Sequence, residues 1–199
     1  MGFLSVLSMA HKLVKERAAI GDTVIDATCG NGIDTQFLCE LVGPRGTVYA
    51  FDIQAEALER TRLRLLGGRE AESDEVMADR MAKLQLVHAS HAEMDKQVAA
   101  DAHGKVAAVM FNLGYLPGAD QSVITTTEGT IAALAAAIAL LRKGGILTVV
   151  LYPGHPGGAE EADAVTRFAS ELPQQLAQAV LYRMAQKAEA PYLLAIEKR

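Results

Sequence analysis

Five apolar, β-branched runs separated by helix-like stretches constrain this chain more than any other feature of its sequence. The runs are TVIDA from Thr23, TVYAF from Thr47, LQLVH from Leu84, VAAVMF from Val106 and ILTVVLY from Ile146. Between them lie Asp34 to Leu41, Ala55 to Leu66, His91 to Ala100 and Thr127 to Leu141, which read as helices. Strands that alternate with helices imply right-handed crossovers and a parallel sheet covered on both faces. Two further runs, QLAQAVLYR from Gln175 and YLLAIEK from Tyr192, have no helix between them. Lys187 to Pro191 is short enough for a turn, so an antiparallel pair is expected at the end of the sheet. The fold class is therefore α/β: a Rossmann-like, mostly parallel sheet with an antiparallel C-terminal hairpin. A chain of 199 residues suits one domain, 1–199.

Composition removes several functional classes. Half of the residues are apolar and 22% are charged, which excludes intrinsic disorder. Lys and Arg number 19 against 24 Asp and Glu, a formal charge of −5, so a strongly basic nucleic-acid coat is absent while a local basic face stays open. Arg60, Arg62, Arg64 and Arg69 make one local basic run and Lys12, Lys15 and Arg17 another; either is a solvated face or an RNA contact. The longest apolar run, IAALAAAIALL, falls short of the roughly 18 residues of a membrane span. MGFLSVLSMAHKLVKERAAIGD has no basic residue before its apolar part and charged residues after it, as an amphipathic helix would and a signal peptide would not. Cys29 and Cys39 cannot build a disulfide scaffold, and a reducing, cytoplasmic setting is expected. His88 and His91 lack carboxylate or Cys partners at ligand spacing, so no metal is expected.

The segment VIDATCGNGIDT carries the strongest chemical signal. It leaves a strand at Asp26, turns through Gly30 and Gly32, and enters a helix near Asp34 and Thr35. Glycines there let the backbone approach a ligand with no Cβ in the way. Asp52 ends the second strand, where an acid binds a ribose diol. That spacing suits a dinucleotide and S-adenosyl-L-methionine alike, but the charges separate them. A pyrophosphate seeks the free amides of a helix N-terminus, and Asp26 and Asp34 would repel it. The ammonium and sulfonium of adenosylmethionine would instead be attracted. No Gly-Lys-Ser/Thr follows, which excludes a triphosphate-binding P-loop.

DATCGNGIDTQFL, FDIQ, HASH, FNLGYLPGADQSVITT and YPGHPGG, in this order, resemble the bacterial family long labelled rRNA methylases. That family is now associated with methylation of the 5-aminomethyl group of 2-thiouridine at the tRNA wobble position. The resemblance runs over nearly the whole chain. It implies a class I methyltransferase sheet, adenosylmethionine as donor and a tRNA anticodon loop as partner, and it leaves a homodimer open. It also implies cofactor roles for Asn31, Asp34, Thr35, Asp52, Gln54, Ser90 and His91.

The remaining candidates lie beside the expected methyl group. FNLGYLP begins where the fourth strand ends and is similar to the Asn-Pro-Pro-Tyr motif of amino-group methyltransferases, with Leu113 and Gly114 in place of the prolines. Methyl transfer is an in-line displacement, so the catalyst has mainly to orient an amine lone pair, which Asn112 Oδ1 and a backbone carbonyl can do. A turn-forming Asn at a strand end is the alternative. Tyr115 is placed either to stack on an extruded base or to anchor the loop. In LYPGHPGG, Tyr152 or His155 would line the acceptor pocket, and His155 could take the proton that the amine loses; alternatively this loop only ends the sheet. The leading function is methylation of the wobble uridine amine. An rRNA base or a small-molecule amine as acceptor, a nicotinamide dehydrogenase and a non-catalytic nucleotide-binding protein are the alternatives.

Overall fold

Alternate residues of the central strands enter two different apolar layers, as a two-residue side-chain period demands. In the computed structural model, which describes residues 2–66, 81–114, 127–154, 157–187 and 189–199, β1 (Thr23–Asp26), β2 (Thr47–Asp52), β3 (Lys83–His88), β4 (Val106–Asn112), β5 (Leu141–Leu151), β6 (Ala177–Tyr182) and β7 (Tyr192–Lys198) form one sheet. Its order is β3-β2-β1-β4-β5-β7-β6. The first five strands are parallel, β7 runs antiparallel to β5, and β6 runs antiparallel to β7. The expected mostly parallel sheet with a C-terminal antiparallel pair is what forms.

Ile25, Phe51, Val109 and Phe111 face a layer completed by α5 (Thr127–Leu140) and α6 (Gly158–Glu171). Val24, Val48, Ala108 and Met110 face the other layer, with α1 (Val6–Lys15) and α2 (Ile33–Val42). The opening segment is thus the expected amphipathic helix: Ala10 and Val14 are buried and Ser5 caps it by accepting from Ser8 N–H at 3.1 Å. It is fastened to the far end of the chain. Arg17 donates to Glu197 at 2.6 Å, Arg142 Nη1 reaches Asp22 at 2.7 Å, and the Tyr182 hydroxyl donates to the carbonyl of Leu4 at 2.8 Å.

Three elements differ from the sequence expectation. His91 to Ala100 is a 3-10 turn, His91–Glu93, followed by the single helical turn α4 (Met94–Gln97). Val98 then turns extended, and Ala99 N–H is taken by the Tyr49 hydroxyl at 3.2 Å, which ends the helical ladder. β5 begins at Leu141 rather than Ile146: Leu141 opposes Val106 and Ile146 opposes Ala108, so the intervening residues bulge, with Gly144 at φ +75. α6 is an added element after the Gly/Pro loop, and its small inward residues Ala162 and Ala169 explain its weak apolar signal. α3 (Ala55–Leu65) covers β2 on the side of the first loop.

Candidate active site

The first loop is drawn into the carboxyl edge of the sheet by its own backbone. Ala27 N–H donates to Met110 O and Cys29 N–H to Phe51 O, so the turn hangs between β4 and β2. Asp26 is 1% exposed, and both its oxygens are used inside the loop, one accepting from Thr28 N–H at 3.1 Å and the other from the Thr35 hydroxyl at 2.6 Å. Burial, with the Asp34 charge adding to it, pushes its carboxyl up to about 7. Asp52 takes Gly30 N–H on one oxygen at 3.1 Å and Gln54 N–H on the other at 2.9 Å. The end of β2 and the glycine turn are thus one unit.

The two glycines serve different ends. Gly30, at φ +51, turns its N–H toward Asp52. Gly32 sits at φ +76, and a Cβ there would come within 2.9 Å of Thr61 Cα, so its bare backbone accommodates α3 as well as any ligand. Gly32→Ala is expected to destabilise the protein by about 1–3 kcal/mol through left-handed strain plus the clash. A urea midpoint equal to wild type would show that α3 can withdraw. Cys29 and Cys39 are free and buried. Burial raises the Cys29 thiol pKa strongly and pushes that of Cys39 up to about 12, so neither is poised as a nucleophile.

Asp34, in the first turn of α2, is held by a residue that the sequence did not single out. His11 Nε2 lies 2.6 Å from Asp34 Oδ1, and its ring stacks on Phe37 at 3.9 Å between centroids with 3° between planes. Lys15 Nζ stands over the same Phe37 ring. Nothing in the sequence links His11 to Asp34 across 23 positions; only the docking of α1 brings them together.

Across the edge, Ser90 caps the 3-10 turn by accepting from Ala92 N–H at 3.2 Å. His91 is buried, contacts the carbonyl of Ala27 through Nδ1 at 3.3 Å and packs edge-on to Phe111. Its pKa is lowered by burial, so the ring is neutral at physiological pH. Asn112 ends β4, and its backbone N–H donates to the Thr28 hydroxyl at 2.8 Å, which ties the acceptor edge to the first loop. Tyr152 follows β5 and is half-buried. Burial and then the Asp34 charge raise its phenol pKa, while a hydrogen bond with the Asn112 side chain pulls the other way. The structure thus groups Asp26, Gly30, Asn31, Gly32, Asp34, Thr35, Asp52 and Gln54 around one turn and sets Asn112 and Tyr152 beside it. Tyr115 and His155 lie outside the described residues.

Of the basic run Arg60, Arg62, Arg64 and Arg69, the three on α3 are largely spent on internal partners, and Arg69 lies outside the described residues. Arg60 pairs with Glu56 at 2.6 Å and reaches Asn31 Oδ1 at 3.4 Å; Arg62 pairs with Glu59; Arg64 Nε donates to the Asn31 carbonyl at 2.5 Å. Among the described residues no cluster of His, Cys, Asp and Glu could hold a metal ion, and no helix is long and apolar enough to cross a membrane.

The strand order, the acids ending β1 and β2 and the polar residue ending β4 together define a class I, adenosylmethionine-dependent methyltransferase. The family model described as "Putative rRNA methylase" matches residues 48–197, and the chain belongs to that family. A chloroplastic tRNA (mnm(5)s(2)U34)-methyltransferase of Arabidopsis thaliana is 39% identical over 96% of this chain and 68% of its own length. A crystal structure of a "putative rRNA-methylase" from Clostridium thermocellum is 40% identical with TM-score 0.87, covering 100% of both chains. A "putative methyltransferase" from Streptococcus mutans in complex with SAH is 33% identical with TM-score 0.82, also covering 100% of both chains.

Proposed function

We propose that the chain transfers the methyl group of adenosylmethionine to the 5-aminomethyl amine of 2-thiouridine at the wobble position of tRNA, reached through the anticodon loop. The observation that carries this reading is the 39% identity to the Arabidopsis tRNA (mnm(5)s(2)U34)-methyltransferase. The site's chemistry agrees with it. Asp52 ends β2 with a carboxylate fixed by two backbone amides, as a ribose diol requires, and Asp34 offers negative charge where a cationic methionine moiety would lie. Bound there, the cofactor supplies an electrophilic methyl group. Asn112 Oδ1 accepts from the amine and aims its lone pair, and Tyr152 closes the same edge. The cytoplasm, where thiols stay reduced, suits two free, buried cysteines.

The test is nucleoside mass spectrometry. Purified protein and adenosylmethionine, added to tRNA from a strain lacking this enzyme, should convert 5-aminomethyl-2-thiouridine to its N-methyl form. Unchanged tRNA alongside newly methylated rRNA would overturn the choice of acceptor.

A pH dependence follows from Asp26. Its carboxyl is held protonated up to about 7 by burial and the neighbouring Asp34. A bound cation favours the carboxylate, so binding below that pH releases a proton, and adenosylmethionine affinity should rise with pH and level off above about 7. Calorimetry in buffers of different ionisation enthalpy measures that proton directly. A slope that persists unchanged in Asp26→Asn would assign it to another group.

A further inference from the structure

Asp34 is the acid of the first loop whose orientation the loop itself does not set. Asp26 is locked by Thr28 and Thr35, and Asp52 by Gly30 and Gln54. Asp34 stands in the first turn of α2 with a side chain only 9% exposed, and its Oδ1 contact is His11, on a different helix. His11 is itself well fixed. Its ring lies flat on Phe37, one turn further along α2, and its helix is anchored by buried Ala10 and Val14. Among the described residues none donates to Asp34 Oδ2, which leaves that oxygen to a ligand. The Asp34 charge helps raise the pKa of both Asp26 and Tyr152, so it acts on the loop and on the acceptor edge alike.

We propose that His11 is a positioning residue of the donor site: its imidazole, clamped on Phe37, holds Asp34 Oδ1 so that Oδ2 is presented to the cationic methionine end of adenosylmethionine. This rests on the methyltransferase reading of the first loop. With Oδ1 engaged at 2.6 Å, the carboxylate cannot rotate away from the site. The open oxygen then meets the cation already oriented, and little ordering is left for binding to supply. The acid is supplied by α2, but its aim is supplied by α1.

The experiment is calorimetric binding of adenosylhomocysteine, which carries the same ammonium and needs no chemistry, to five proteins: wild type, His11→Ala, His11→Gln, Asp34→Asn and His11→Ala/Asp34→Asn. His11→Ala should bind about tenfold more weakly, as expected for one lost charge-assisted contact that orients a ligand group. His11→Gln keeps an N–H near the place of Nε2 and should recover most of that loss. Because His11 acts through Asp34, the double variant should bind no more weakly than Asp34→Asn alone. Wild-type affinity in His11→Ala, or equal His11→Ala losses with Asp34 and with Asn at position 34, would overturn the proposal. A wild-type protein that binds neither adenosylhomocysteine nor adenosylmethionine would instead overturn the methyltransferase reading. If His11→Ala does not fold, wild-type affinity in His11→Phe, which keeps the stack and removes the donor, is the overturning result.

Discussion

Asn112→Ala should slow single-turnover methylation about a hundredfold while leaving adenosylmethionine affinity nearly unchanged. A loss of that size is about 2.7 kcal/mol of transition-state stabilisation, the scale of one positioned polar group. The structure makes the variant clean, because the tie from β4 to the first loop runs through the Asn112 backbone N–H to Thr28 and survives truncation of the side chain. What disappears is the amide that contacts the Tyr152 phenol and would meet the amine. Tyr152→Phe is the control: it removes the hydroxyl and leaves the amide free to turn toward the substrate. A wild-type rate for Asn112→Ala would move the orienting role to Tyr152 and the loop after it. The rate of both proteins should rise with pH until the acceptor amine is neutral, since a protonated amine has no lone pair.

Asp52→Ala should have the second large effect, on binding rather than rate. Losing a charged acceptor for the ribose costs about 1.5–3 kcal/mol, roughly tenfold to a hundredfold in affinity. The same carboxylate also receives Gly30 and Gln54 N–H, so the variant should melt at a lower temperature as well. Asp52→Asn, which retains one acceptor, should keep part of the stability. Calorimetry on the folded variants and thermal melts of the free proteins separate the two losses. Unchanged affinity in a folded Asp52→Ala protein would remove this residue from the ribose site and leave it a purely internal brace.

The strands were readable because local pattern and tertiary role coincide. β7 occupies Tyr192–Lys198, the run YLLAIEK, whose five apolar residues Tyr192 to Ile196 are all buried in the sheet. The acids at strand ends were readable for a similar reason: Asp26 and Asp52 terminate apolar runs, and polarity at that boundary marks the sheet's edge. Other features depend on contacts that no local pattern encodes. His11 is a single histidine in an amphipathic helix until α1 lies against α2. Arg60 and Arg64 form part of a charge run by sequence, but α3 aims them at Asn31. Gly32 looked like a ligand-approach glycine, yet Thr61 already requires it to lack a side chain. His91 to Ala100 reads as one helix, but the Tyr49 hydroxyl intercepts that ladder from another strand.

The inward place of β7 between β5 and β6 bears on how such a protein is made. β6 joins the sheet only through β7, so β5 and β6 both lack a hydrogen-bonding neighbour until that strand is in place. Arg17 waits for its partner Glu197 over the same interval. A premature stop before Tyr192 is therefore expected to leave the sheet with an open, sticky edge and the truncated chain a substrate for chaperones and proteases.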